Sequence, residues 1–255
     1  MNATLVTIRK ELLSYCFSPV SYLVAVLFYL LHGTLLHSLI VMFALGGADA
    51  DILPTQSYGL MSTFVMVVLV PALLTMRCFA EERRSGSLEV LVTAPVRDHE
   101  LVLGKWGAAA AFYALLWLPT VPILWLLTTD WFLATPLTFG PVLTAYVGMF
   151  LISAMLLAFG VFASSLTDNV LLAAILAVLF NLGLLVIPGV VHRHVAPWLD
   201  NAYVRQVYEK IWVFDHFSNW FARGLLDTSQ VAFYLGGIAF FLFLTVLSLG
   251  TRRMA

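Results

Sequence analysis

The sequence predicts an all-α integral membrane protein with six membrane-spanning helices, and three observations lead to this fold class. Of the 255 residues, 62% are hydrophobic and 11% are charged, whereas a soluble domain carries roughly 25% charged residues. Six stretches are long and apolar enough to cross a bilayer, which takes about 20 residues per helix. No Asp or Glu falls inside any of the six. With so little polar surface the chain needs lipid as part of its solvent, so we expect residues 1–255 to form a single transmembrane domain.

The six predicted spans follow one another with connections of different length. We place them at residues 20–45, 58–78, 104–128, 140–165, 169–190 and 231–250. The fourth and fifth are separated only by the sequence SSLTDN, in which Thr167 or Asp168 can cap the fifth helix. The third contains Pro119 and Pro122, and each proline removes a backbone hydrogen bond, so a kink is predicted there.

The distribution of Lys and Arg predicts which end of the bundle faces the cytoplasm. Nine of the 13 basic residues lie in the N-terminal tail, in the segment 77–105 or in the C-terminal tail. The connections 46–57 and 128–139, on the opposite face, contain none. Because Lys and Arg accumulate on the cytoplasmic side of membrane proteins, both termini are predicted to be cytoplasmic. A net charge of −1 argues against a nucleic-acid partner, since binding phosphates needs a basic surface.

Two further segments are predicted to be helical without crossing the bilayer. In residues 2–16 the apolar side chains Leu5, Ile8, Leu12 and Tyr15 repeat at helical spacing, opposite the charged Arg9, Lys10 and Glu11. This pattern predicts a helix that lies in the cytoplasmic interface. Residues 207–224 carry an apolar stripe of Ile211, Phe214, Phe217 or Ser218, and Phe221, with Trp212 and Trp220 beside it. An interfacial or re-entrant outer hairpin is predicted there, between the fifth and sixth spans.

The most charged run of the chain, FAEERRSGSLEVLVTAPV at residues 79–96, lies between the second and third predicted spans. Its polar RRSGS turn is followed by a short apolar run that Pro95 ends, because the residue before a proline avoids α geometry. Asp98 can cap the helix that leads into the third span. The residues alone leave two interpretations: a short amphipathic helix that docks on a cytoplasmic partner, or a solvated loop whose apolar residues dip into the interface.

The longer stretch FAEERRSGSLEVLVTAPVRDHELVLGKW resembles the segment after the second span of type-2 ABC exporter permeases. The family pattern is F-x-E-E-R-x-x-G-[ST]-[LI]-E-x-L-L-x-[ST]-P, followed by a segment that ends in G-K, and Val92 and Thr93 fit it loosely. The opening RKELLSYCFSPVSYLV and the C-terminal FDHFSNWFARGLLDTSQVAFYLGGIAFFLFLTVLSL look like the gliding-motility subfamily, often called GldF-like. The resemblance implies a permease that works as a dimer with two copies of a separate ATPase subunit, often with an extracytoplasmic or periplasmic auxiliary subunit.

In that family the loop forms a coupling helix, which docks on the ATPase subunit and transmits its closure. The resemblance therefore implies contacts with the ATPase from Arg84, Ser87, Leu88, Glu89, Leu91 and Val92. It also places Glu81, Glu82 and Arg83 at the junction of the second span and the loop. An ion pair at that position would fix how rigidly the loop follows the span, although each of these charges could equally belong to a solvated face.

The sequence lacks the motifs of an enzyme. It contains no GxxxxGK[ST] loop, so ATP and Mg²⁺ are expected on a separate subunit and no cofactor on this chain. No Ser/His/Asp arrangement, metal-ligand cluster or intramembrane carboxylate pair is present, which weighs against an enzyme and a proton-coupled carrier. The prediction is therefore the permease of an ATP-driven ABC exporter in a bacterial inner membrane. One alternative is a complex that relays ATP hydrolysis to a periplasmic partner without transport, and another is an intramembrane enzyme or passive scaffold.

Three polar residues inside predicted spans are candidates for a functional role by default. His32 and His37 are five positions apart on one helix, so their rings point in different directions and a shared metal is not favoured. Asn181 could line a conduit or form a hydrogen bond between helices, and we favour the hydrogen bond.

Overall fold

The computed structural model of the chain describes residues 3–44, 61–86, 97–127, 139–195 and 211–253. Within these ranges every regular element is helical and no β-strand occurs. The helices are α1 (Ala3–Phe17), α2 (Pro19–Ala44), α3 (Met61–Thr75), α4 (Ala80–Arg84), α5 (Asp98–Trp117), α6 (Thr120–Leu127), α7 (Phe139–Leu166), α8 (Val170–Val195), α9 (Val213–Asn219) and α10 (Thr228–Arg253), with a 3₁₀ turn at Phe221–Arg223.

Five of these helices are long and apolar enough to cross a membrane. By length and composition the candidate spans are Pro19–Ser38, Asp98–Ile123, Phe139–Leu166, Val170–Val191 and Thr228–Gly250. They coincide with the first, third, fourth, fifth and sixth predicted spans. The described part of the second predicted span is α3, which has 15 residues. The sixth crossing therefore stays a prediction.

Helix α7 lies at the centre of the bundle and packs on α3, α5, α8 and α10. It runs in the same direction as α10, because Gly237 meets Met155 and the Phe241 ring lies 5.2 Å from the Phe159 ring further along. Helix α3 ends where its Thr75 contacts α7. The ends of α3, α7 and α10 thus lie together, at what we call the junction end of the bundle because it carries the junction between α3 and α4.

At the kink predicted in the third span, the structure has a break between two helices. Helix α5 ends at Trp117 and α6 begins at Thr120, on either side of Pro119, which has no N–H to continue the helix. The Thr120 hydroxyl donates to the Trp117 carbonyl oxygen at 2.6 Å and lies 2.8 Å from the Tyr146 hydroxyl of α7. A side chain therefore takes up the carbonyl at the break and attaches it to the central helix.

The predicted cap of the fifth spanning helix, Thr167 or Asp168, is wrong, because the capping residue is the next one along the chain. Helix α8 is capped by Asn169, whose Oδ1 accepts a hydrogen bond from the Leu171 N–H at 3.0 Å. Thr167 instead accepts a hydrogen bond from the Asn169 N–H at 3.1 Å, and Asp168 is exposed. All three residue types are good caps, so only the position immediately before the first helical turn decides which oxygen reaches the free N–H groups.

The predicted cap of α5 is also wrong. Asp98 is the first helical residue and not the residue before it. The Glu100 carboxylate reaches back and accepts a hydrogen bond from the Arg97 N–H at 3.1 Å. The free backbone donor before the helix is thus satisfied from within the first turn, as in one half of a capping box.

The segment between α8 and α10 folds back on the central helix. Gly224 ends its 3₁₀ turn with a left-handed φ of +84°. Phe221 is fully buried against Gly148 of α7, where an added Cβ atom would lie 2.5 Å from the ring. The Phe221 carbonyl oxygen accepts a hydrogen bond from the Thr144 hydroxyl at 2.6 Å. A glycine is needed at position 148 because the ring occupies the space of a side chain.

The apolar stripe predicted for this segment is right at two positions and wrong at a third. Phe217 and Phe221 are buried, but Ile211 is 44% exposed and Val213 is buried in its place. The side chain of Phe214, the remaining member of the stripe, lies outside the described part of the structure. Helix α9 begins at Val213, so Ile211 precedes the helix and does not lie on its buried face.

Candidate functional site

The junction between α3 and α4 is a break in a helix, buried inside the protein. Helix α3 ends at Thr75, residues 76–79 form a turn, and α4 begins at Ala80. Phe79 and Ala80 are fully buried at this turn. The chain then reaches the surface of the protein, where Arg84, Ser85 and Gly86 are exposed.

The structure separates the three charged residues that the sequence placed at this junction. Glu81 is exposed and pairs with Arg77 one turn earlier, with 3.1 Å between Oε2 and Nε. Arg83 donates a hydrogen bond to the Ser165 carbonyl oxygen of α7 at 2.7 Å. Glu82 turns inward. Exposed pairs such as the first contribute about 0.5 kcal/mol, so Glu82 and Arg83 are the residues that hold α4 in place.

Glu82 belongs to an ion triad that joins three helices around a buried ammonium group. Lys105 of α5 is 2% exposed, and its Nζ lies 2.7 Å from Oε1 of Glu82 and 3.1 Å from Oε1 of Glu11 on α1. The same ammonium group lies 5.2 Å from the centre of the Phe79 ring. Burial raises the pKa of Glu82 above its ordinary value, and Lys105 opposes this rise. One ammonium group thus connects α1, α4 and α5.

Glu11 lies on the side of α1 opposite to the one that the sequence pattern predicts. Glu11 lies on the face that contacts α5, together with Thr7 and Tyr15, whereas Leu5 is 60% exposed. A signal for the triad was present in the sequence. Lys105 falls inside a predicted span, where a charged group needs an opposite charge, and no acidic residue follows it until Asp130.

Helix α1 approaches α5 closely because α5 presents a glycine to it. An added Cβ atom at Gly104 would lie 2.6 Å from the Thr7 side chain. Further along, the Tyr15 and Phe112 rings stack with 5.4 Å between their centres. From the first contact to the second the residue numbers increase along both helices, so α1 and α5 run in the same direction. This packing keeps Glu11 within reach of Lys105.

A cavity of about 310 Å³ lies beside the triad. Three basic and three acidic side chains line it, namely Lys10, Arg77 and Lys105 with Glu11, Glu81 and Glu82. The Tyr15 hydroxyl, also in its wall, donates to the Leu74 carbonyl oxygen of α3 at 2.8 Å. Because the charges of the lining balance, the cavity has no excess charge that would select an anion or a cation.

The lone polar residues of the spans have structural environments. His32 is buried, 5.8 Å from the Phe28 ring and 5.4 Å from the Trp117 ring, while His37 is exposed. In the described part of the chain no group of three or more His, Cys, Asp or Glu could hold a metal ion. Asn181 donates to the Val68 carbonyl oxygen of α3 at 3.0 Å, so the hydrogen bond between helices is confirmed.

Most of the predicted ATPase contacts lie outside the described residues. Arg84 is exposed at the last residue of α4. The other predicted contact residues lie outside the described residues: Ser87, Leu88, Glu89, Leu91 and Val92. Their role stays a prediction. The described half of the site is therefore the base of the loop and the contacts that fix it.

The chain matches one protein family over most of its length. Residues 37–249 match the family model described as ABC-2 family transporter protein. Comparison with curated proteins finds no significant match. The matched region contains Glu82, Lys105 and Ser165, and it begins after α1. With its apolar helices, the chain is a multi-pass membrane protein that belongs to the ABC-2 transporter family, as a permease subunit of an ABC transport system.

Proposed function

We propose that the chain is the permease of an ATP-driven ABC exporter and that the loop between α3 and α5 is the coupling helix on which a separate ATPase subunit docks. Family membership supports the transporter class. The coupling role is supported by one observation: the ammonium group of Lys105 binds both Glu82, at the base of the loop, and Glu11 of α1.

The triad has a physical consequence for any force applied to the loop. Removing two carboxylates and an ammonium group from water has a large desolvation cost, which is offset only when the three groups hold a fixed geometry. A loop that merely lies in solvent needs no such arrangement at its base. Because Glu82 is bonded to Lys105, α4 cannot tilt without moving α5, and Glu11 extends the connection to α1.

The proposed assembly follows from this assignment. Two copies of the ATPase subunit bind ATP and Mg²⁺ and push the loop at Arg84, Ser87, Leu88, Glu89, Leu91 and Val92. A second permease copy completes the conduit. Six spans, with both termini in the cytoplasm of a bacterium, place the junction end of the bundle on the ATPase side. An extracytoplasmic auxiliary subunit is a further proposed partner.

A second candidate is a complex that moves a periplasmic partner and transports nothing. The similarity of both ends of the chain to the gliding-motility subfamily supports it, as does the charge-balanced cavity. The two candidates differ in a measurable way. ATP hydrolysis that continues without any transported substrate and depends on a periplasmic protein favours force transmission.

The test is purification of the tagged full chain from its native membrane, with mass spectrometry and an ATPase assay of what accompanies it. We expect a P-loop ATPase at about one copy per permease, lost with Leu88→Asp or Leu91→Asp and retained with Leu88→Met, which stays apolar. Normal recovery of the ATPase from both aspartate variants would overturn the coupling-helix assignment. Absence of any ATPase, with the chain folded, would favour the passive scaffold.

A further inference from the structure

Ser164 of α7 closes the break between α3 and α4. Its Oγ accepts hydrogen bonds from the N–H groups of Phe79 and Ala80, each at 3.0 Å, and donates one to the Met76 carbonyl oxygen at 3.1 Å. A hydroxyl group has one donor and two acceptor positions. All three are used at this site, and the Ser164 side chain is fully buried.

The break would be unstable without this side chain. In a continuous helix the N–H groups of Phe79 and Ala80 would bond to the carbonyl groups four residues earlier. The turn at residues 76–79 removes that option, and both residues are buried away from water. Buried backbone N–H groups are almost always paired, so the serine of a different helix replaces the missing acceptors.

A second contact joins the same two elements one turn further on. Arg83 donates to the Ser165 carbonyl oxygen at 2.7 Å, and the last carbonyl groups of a helix lack partners within it and attract positive charge. Gly160, one turn earlier on α7, lets Thr75 approach the helix backbone. Gly160, Ser164 and Ser165 of α7 therefore hold the junction, just before the turn at residues 167–169 that leads into α8.

We propose that Ser164 is a positioning residue that makes α4 and the turn between α7 and α8 move as one body. The turn at 167–169 would then be a second element driven by the ATPase, in addition to the loop on which the ATPase docks. This inference rests on the proposed function for its driving force. We call the hydrogen bonds of Ser164 with Phe79, Ala80 and Met76 the clamp. The clamp can be tested on the chain without its ATPase.

The first experiment measures backbone hydrogen exchange of the full chain in nanodiscs. In Ser164→Ala, exchange across residues 76–84 should become about tenfold faster or more, because two buried N–H groups lose their acceptor. Ser153→Ala is the matched control, since Ser153 is also a fully buried α7 serine and donates to the Tyr113 hydroxyl at 2.8 Å. Its exchange at 76–84 should equal that of the wild type.

If Ser164→Ala does not fold, two other observations test whether Ser164 holds the junction. The wild-type chain must itself protect residues 76–84, and Ser164→Cys, which keeps a weak donor and acceptor of similar size, should exchange faster than the wild type there. An unprotected wild-type junction overturns the clamp, as does unchanged exchange in the folded variants.

The second experiment measures distances between spin labels in the complex with its ATPase, trapped with and without ATP. Labels at Ser85→Cys and Asp168→Cys, both exposed, report on the clamp; Asp168→Cys with the exposed Leu226→Cys reports movement of the turn. We expect ATP to change the Asp168–Leu226 distance while the Ser85–Asp168 distance stays constant, except in Ser164→Ala. A wild-type Ser85–Asp168 distance that changes overturns the proposal, as does a turn that does not move.

The two experiments separate the two levels of the inference. Altered exchange in Ser164→Ala without any ATPase in the purified complex means that the proposed function fails while the clamp stands. An ATPase that moves the loop, with unchanged exchange in Ser164→Ala, means that the proposed function stands while the clamp fails.

Discussion

Two short segments that connect long helices meet the central helix α7 in different ways. The junction approaches it at Gly160 through Thr75. The 3₁₀ turn at Phe221–Arg223, which we call the outer turn because it lies towards the end of α7 away from the junction, approaches it at Gly148 through Phe221. The junction is held by an ion triad and by the hydrogen bonds of Ser164 and Arg83. The outer turn is held by a buried ring and one hydrogen bond to Thr144.

The difference lies in what each kind of contact constrains. Hydrogen bonds and ion pairs depend on direction as well as distance, so several of them fix the orientation of α4 relative to its neighbours. Burial of an aromatic ring depends mainly on contact area and is not directional. We therefore infer that the junction is built to transmit movement and that the outer turn is built to stay packed. The five predictions below test that contrast, from the largest expected effect to the smallest.

Replacing Lys105 should have the largest effect. Lys105→Met leaves the carboxylates of Glu11 and Glu82, which are only 19% and 17% exposed, without their counter-ion, and loss of one partner of a buried ion pair costs about 3–5 kcal/mol. The thermal midpoint in detergent should fall accordingly. The matched variant Lys105→Met with Glu11→Gln and Glu82→Gln removes every charge of the triad and should recover most of the loss. Failure of the neutral triple variant to recover would show that the triad is not an electrostatic unit.

The same variant should show a distinctive pH dependence. The pKa of Glu82 is raised by burial, and a carboxyl group with a raised folded-state pKa contributes stability that is present below its unfolded value of about 4.3 and is lost as the pH rises through the folded-state pKa. In Lys105→Met this rise is no longer opposed. The midpoint of the variant should therefore increase as the pH is lowered from neutrality towards that unfolded value, more than that of the wild type does. An equal pH response of the two proteins would contradict the prediction.

A methyl group at the outer contact should have the next largest effect. In Gly148→Ala the new Cβ atom meets the Phe221 ring at its base, 2.5 Å from Cγ and 2.8 Å from Cβ, where the ring cannot rotate away. Overpacking of this kind costs about 1–3 kcal/mol, and we expect the upper part of that range. Gly140→Ala is the control on the same helix, since no atom lies within 4 Å of its added Cβ. Equal thermal midpoints for the two variants would contradict the close contact.

A methyl group at the junction contact should cost less stability but more function. In Gly160→Ala the new Cβ atom overlaps the Thr75 hydroxyl, which can rotate away at the loss of its 2.8 Å hydrogen bond to the Pro71 carbonyl oxygen. We expect a destabilisation of about 1–2 kcal/mol, partly restored by adding Thr75→Ala. The ratio of ATP-dependent movement to ATP hydrolysis should fall in Gly160→Ala and be unaffected in Gly148→Ala. Equal coupling in the two variants would remove the contrast between the regions.

The smallest effect is expected at the cap of α8. Asn169→Ala removes the oxygen that accepts the Leu171 N–H, and loss of such a cap costs about 1 kcal/mol. Asp168→Ala, at the neighbouring exposed position, should change the thermal midpoint by less than half as much. A larger effect at Asp168 than at Asn169 would contradict the observed cap and favour Asp168, which the sequence pattern suggested.

Parts of the site could be predicted because they depend on local pattern. Composition and the length of the apolar runs located five of the helices that are long enough to cross a membrane, and Pro119 located the break in the third. The motif at residues 79–96 indicated an ABC permease, and the family match over residues 37–249 supports that class. The predicted cap of α8 was wrong because Thr167, Asp168 and Asn169 are all good caps, so the pattern does not fix the first helical residue. The predicted cap of α5 was wrong because the helix begins at Asp98 itself, after Arg97.

The sequence by itself determined that the chain resides in lipid, approximately where its helices lie and to which family it belongs, because these depend on hydrophobicity and motifs read along the chain. The tertiary structure decided which charges lie together and which serine accepts hydrogen bonds from the backbone N–H groups at the break between α3 and α4. Glu11 and Lys105 are 94 positions apart, and Ser164 and Phe79 are 85 apart. Their contact depends on how the helices pack around Gly104 and Gly160, and no local pattern encodes a partner at that separation.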